Sequence, residues 1–106
     1  MNRLIIVARL KEGAHNDAEA LLRKGPPFDA EEVGLHRHGA YLTAGEVVFT
    51  FEAPEVEWIV NDLVDDRVTS AAFAGWEDLI EGTPRIAHER FYWTREGSKL
   101  GVGLGA

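Results

Sequence analysis

The chain has no cysteine and one methionine, and its 11 basic residues are outnumbered by 18 acidic ones. Without cysteine there can be no disulfide framework, no thiolate nucleophile and no cysteine-ligated zinc, a composition in keeping with a reducing compartment. A formal net charge of −7 argues against a phosphate-backbone partner, because nucleic-acid binders concentrate Lys and Arg. No apolar run approaches the roughly 20 residues that span a bilayer, and the N-terminus lacks the basic, apolar and small-residue sections of a signal peptide. There is no phosphate loop either, since Gly97, Gly101, Gly103 and Gly105 neither follow a strand nor open a helix. The expectation is a cytoplasmic protein with neither nucleic acid nor membrane as partner.

What the chain does have is periodicity. Its 106 residues are enough for one core and too few for two, so residues 1–95 are expected to form one domain, followed by a flexible Gly-rich tail over 96–106. Leu4 to Leu10 is a β-branched apolar run too short for a typical helix and is predicted to be a central strand. After Gly13, Ala14, Ala18, Leu21 and Leu22 recur at helical spacing until Gly25-Pro26-Pro27 stops them. Asp29-Ala30-Glu31-Glu32 reads as a capped helical turn.

The stretch Gly34 to Glu52 organises the rest, reading as two strands joined around Thr43-Ala44-Gly45-Glu46, with Gly45 able to take positive φ. A two- or four-residue turn sets Leu42 opposite Val47, His38 opposite Phe51 and Arg37 opposite Glu52. A three-residue loop would set His38 opposite Thr50 instead. The first register is preferred, because it gathers His36, His38, Phe49 and Phe51 on one face and leaves Arg37 and Glu52 to pair on the other.

Past Pro54, the residues Val56, Ile59, Val60, Leu63 and Val64 form a helical stripe, interrupted at Asp65-Asp66-Arg67. Ser70 can cap a further helix with a stripe of Phe73, Trp76, Leu79 and Ile80, closed by Gly82 before Pro84. Arg85 to Thr94 alternates as a fourth strand. The order strand, helix, strand, strand, helix, strand predicts an α+β fold, a ferredoxin-like βαββαβ sandwich with a four-stranded antiparallel sheet. Its first and third strands would be central. Helices cover one sheet face only, so the apolar side chains on the other predict a homodimer that stacks the open faces.

With this element order, the apolar first strand, the hairpin and the aromatic Arg90-Phe91-Tyr92-Trp93-Thr94, the chain resembles the dimeric α/β-barrel superfamily over about residues 3 to 95. That superfamily includes cofactor-independent antibiotic-biosynthesis monooxygenases, haem-degrading enzymes and polyketide cyclases. The resemblance implies a ligand site between the helices and the sheet of each protomer. Within it the chain looks most like the tetracenomycin-type aromatic polyketide cyclases, whose second strand is basic and follows a glycine, as Gly34-Leu35-His36-Arg37-His38 does. Where those cyclases carry an arginine cluster, this chain has His36 and His38 around Arg37, and a histidine of their next strand is replaced by Phe49.

Two imidazoles at i and i+2 on a strand project from one face, and with unperturbed pKa near 6.5 they can shuttle protons at an enolisable carbonyl. The catalytic candidates are therefore His36 and His38. Phe49, Phe51, Trp58 and Trp76 can supply an apolar wall, and Arg9 can hold a carboxylate or enolate. A catalytic zinc would need a third ligand, for which His88 or Glu52 is the available addition, and neither a metal nor any other cofactor is expected. The function expected is action on a small aromatic or polyketide-like molecule by cofactor-free acid/base chemistry. Cofactor-independent oxygenation and a non-catalytic binding or structural dimer are the alternatives.

Overall fold

The computed structural model describes residues 2–26, 28–65 and 75–95. The strands are β1 (Asn2–Leu10), β2 (Arg37–Leu42), β3 (Glu46–Ala53) and β4 (Ile80–His88), and the helices α1 (His15–Arg23) and α2 (Val56–Asp65). The sheet order is β2-β3-β1-β4 with every pairing antiparallel, so the first and third strands are central, as expected. The break after Asp65, the cap at Ser70, Phe73 and the tail from Glu96 lie outside the described residues. No helix among the described residues is long and apolar enough to cross a membrane.

Alternation along the central strands sets up the core. Leu4, Ile6, Ala8 and Leu10 stand beside Phe51, Phe49 and Val47 of β3 on the face that the helices cover. Below α2, Leu4, Phe51, Ala53, Val56 and Val60 form one buried cluster, which Leu35 joins. Near α1, Ala8, Leu10, Ala14, Ala18, Val47 and Trp76 form a second. Phe49 packs against both. The helical stripes at Ala14/Ala18 and Val56/Val60 were legible from spacing because each has one face to bury.

The preferred hairpin register is the one observed, with Arg37 opposite Glu52, His38 opposite Phe51 and Leu42 opposite Val47. Its turn is held differently from the expectation. Gly45 is not in the positive-φ region. Thr43 Oγ1 instead accepts from the backbone N–H of Glu46 at 2.9 Å and of Gly45 at 3.3 Å, while the Thr43 N–H donates to the Glu46 carbonyl at 2.8 Å.

The turn before β2 does depend on a glycine. Asp29 Oδ1 accepts from the N–H groups of Glu31 and Glu32, both at 3.1 Å, starting a single helical turn. Gly34, at φ 94°, ends it, with the Leu35 N–H on the Ala30 carbonyl at 2.9 Å and the Gly34 N–H on the Glu31 carbonyl at 3.0 Å.

The last strand corrects the sequence reading. It spans Ile80–His88 rather than Arg85 to Thr94, so Ile80 leaves the helical stripe and Gly82 and Pro84 lie inside the strand. Four residue steps on β4, Glu81 to Arg85, match two on β1, Arg9 to Val7, and Gly82 takes φ 78° within that irregularity. An edge strand tolerates a proline that donates no ladder hydrogen bond, and a bulge tolerates glycine, so residues that usually stop an element did not stop this one.

Candidate functional site

A cavity of about 840 Å³ opens where the two core clusters meet, over Phe49 and beneath the helical layer. Its floor crosses all four strands, from His38 on β2 through Phe51 and Phe49 on β3 and Ile6 on β1 to Ile86 on β4. Leu22, Val60 and Trp76 close it from above. Trp76 meets Phe49 edge to face, with ring centroids 5.3 Å apart at 88°.

His38 is the half-buried polar group of this chamber. Its ring is flanked by Phe51, with centroids 4.7 Å apart, and by Phe28 at 5.2 Å. Its Nδ1 lies 2.9 Å from the Thr50 carbonyl oxygen. A carbonyl only accepts, so Nδ1 must carry the proton, and Nε2 is left as the ring's acceptor. Burial lowers the His38 pKa below its ordinary value, against a smaller upward pull from the Thr50 carbonyl. Near neutral pH it is thus an uncharged imidazole with a fixed tautomer.

His36 does not join it. Leu35 is buried in the core and His38 lines the chamber, yet they stand three residues apart, a spacing that alternation alone cannot put on one side. The phase is broken at His36, which lies in a bend before β2, with its backbone N–H on the Glu52 carbonyl at 2.8 Å. Its side chain is exposed. With Arg3, Arg37, Glu52, Glu89 and Tyr92 it lines a polar depression of about 450 Å³ on the uncovered side of the sheet.

The ion pair expected between Arg37 and Glu52 is replaced in that depression. Glu52 takes a hydrogen bond from Arg3 at 2.8 Å, across its other neighbouring strand, and Arg3 also reaches Glu89 at 3.5 Å and sits 4.0 Å from the Tyr92 ring centroid. Arg3 stands beside Glu52 in the β1–β3 ladder and is less exposed than Arg37, so it holds the carboxylate in a drier setting.

Of the predicted site residues the structure brings His38, Phe49, Phe51 and Trp76 together. Arg9 is elsewhere: it falls between buried Ala8 and Leu10, so alternation turns it to the uncovered side, beside Glu46 and Glu81. Trp58 is 72% exposed, because the inward stripe of α2 runs through Val56, Ile59 and Val60 and passes it by. Among the described residues no group of three His, Asp or Glu side chains is placed to hold a metal ion. Sequence reasoning missed Asn61 and Glu77, which bring polar groups to the chamber wall. Each directly follows an apolar residue of that wall, Val60 or Trp76, which is the signal that could have found them.

No family model matches the chain, and no curated protein matches it in sequence. Solved structures do match. The protein is similar to an antibiotic biosynthesis monooxygenase, with a TM-score of 0.67 and 13% identity over 87% of this chain and 99% of that one. It is similar to the L-rhamnose mutarotase of Formosa agariphila, with a TM-score of 0.69 and 11% identity over 89% of this chain and 100% of the other. It is similar to the tetracenomycin F2 cyclase of Streptomyces glaucescens, a type-II polyketide cyclase, with a TM-score of 0.68 and 12% identity over 89% of this chain and 98% of that one. The chain therefore has the ferredoxin-like α+β fold that these structures share, as its element order indicated. An oxygenase, a mutarotase and a cyclase share that fold, so the fold alone assigns no reaction.

Proposed function

We propose that the protein binds a small aromatic or polyketide-like molecule in the chamber beneath its helices and converts it by cofactor-free acid/base chemistry, with His38 as the proton carrier. The observation that carries this reading is a neutral imidazole, its Nδ1 proton tied to Thr50, set in an apolar chamber walled by Phe49, Phe51 and Trp76. Nε2 accepts a proton from an enolisable or phenolic group, and the Thr50 carbonyl, as partner of Nδ1–H, favours the imidazolium that forms. His36, on the other side of the sheet, takes no part. With an identified substrate, His38→Gln is expected to lower kcat by about 10²–10⁴-fold, and unchanged turnover would refute the assignment.

Proton removal from a phenol is also the first step of cofactor-independent oxygenation, and the same imidazole would serve it. Oxygen uptake during turnover separates the two: none is expected for a cyclisation or isomerisation.

The uncovered sheet face carries Ile5, Val7 and Val48, half-buried, and Tyr41, which is 60% exposed. A second copy of this chain stacked on that face would bury them. Sedimentation is expected to give a dimer that Val7→Arg dissociates, and a wild-type monomer at tens of micromolar would remove the idea.

A further inference from the structure

We infer that the chamber selects ligands by charge as well as shape: it takes a flat, neutral molecule whose hydroxyl donates to His38 Nε2, and it disfavours the same molecule bearing a carboxylate. This rests on the reading of the chamber as the ligand site. The groups that His38 and Glu77 present there are acceptors. His38 spends its Nδ1 proton on the Thr50 carbonyl at 2.9 Å and leaves Nε2 as a lone pair. Glu77, exposed on the helical turn at 75–77, adds a carboxylate to the wall. Asn61 of α2 is polar but uncharged, and among the described residues no lysine or arginine lines the chamber.

Arg9, the cation that sequence patterning offered as a carboxylate partner, lies on the opposite side of the sheet. Arg3 and Arg37 line the polar depression there. A carboxylate entering the chamber would therefore lose its water, meet two acceptors and gain no cation from the described residues, whereas a hydroxyl loses little and satisfies Nε2. The net charge of −7 adds a repulsive field to the same end.

The test is calorimetric titration at pH 7.5 of the full chain with 2-naphthol, 2-naphthoate and 2-methylnaphthalene, which share a ring system and differ in the group they offer. The expected order is 2-naphthol first, with 2-naphthoate weaker by about tenfold or more. His38→Phe should bring 2-naphthol down to the level of 2-methylnaphthalene, and Glu77→Gln should narrow the gap between naphthol and naphthoate. A circular dichroism spectrum and melting curve like those of the wild type establish that each variant is folded. If 2-naphthoate binds as tightly as 2-naphthol or tighter, charge selection is overturned while the chamber stands as a site. If none of the three binds, the reading of the chamber as an aromatic-ligand site falls, and this inference with it.

Discussion

On the helix side of the sheet His38 stands between Phe28 and Phe51 with its Nδ1 proton given to Thr50, whereas on the uncovered side His36 stands beside Arg3, Arg37, Glu52 and Glu89. The two histidines are two residues apart on one chain. One is uncharged, half-buried and fixed in a single tautomer, and the other is exposed among charges. The same residue type thus presents an uncharged, half-buried ring on one face and an exposed ring on the other. The difference arises in the turn closed by Gly34, which drops Leu35 into the core and forces one residue out of phase before β2 begins.

The largest effect should come from the histidines. His38→Gln should cost the 10²–10⁴-fold in kcat given above, about 3–5 kcal/mol in the barrier, while His36→Gln should leave kcat within a few-fold. Equal losses at both positions, measured on one substrate, would erase the contrast. Stability should divide along the same plane. Leu4→Ala, on the helix side and 6% exposed, is expected to lower the unfolding free energy by about 2–5 kcal/mol. Arg3→Ala, its neighbour on the uncovered side, removes ion pairs that keep some access to water and should cost about 1 kcal/mol. Urea denaturation of both variants, fitted with a common slope, would expose a reversal of that order.

The smallest effect is the pH dependence. The His38 pKa is depressed in the folded chain, so below its ordinary value of 6.5 the unfolded state binds the proton first. The stability contributed by keeping His38 neutral is complete above pH 6.5 and is lost as pH falls toward the folded value. The urea midpoint should fall between pH 7.5 and 5.5, and by less in His38→Gln. The same fall in both proteins would assign it to other groups.

Much of the fold was legible because each regular element has one face to hide, and apolar residues then recur at the period of that element. The hairpin register followed from the same rule, since only one alignment gathers Phe49, Phe51 and Leu42 on a single face. Arg9 was expected at the ligand, although alternation from buried Ala8 and Leu10 turns it to the far side of the sheet. The start of β4 was hidden, because Gly82 and Pro84 usually end elements and here occupy an irregular edge strand. His36 was misplaced because a strand period was carried one residue too far into a turn. The chamber itself lay beyond reach of any periodicity, since it is the space left between two separately packed clusters that share Phe49.

The central claim is that ligand chemistry belongs to His38 and the chamber, with His36 excluded. Imidazole ¹⁵N NMR at pH 7.5 tests it directly, during titration with 2-naphthol. In the free protein His38 is expected to carry its proton on Nδ1, and its Nε2 resonance to move on ligand addition while those of His36 stay in place. Movement confined to His36, or a His38 protonated on Nε2 with Nδ1 bare, would contradict it.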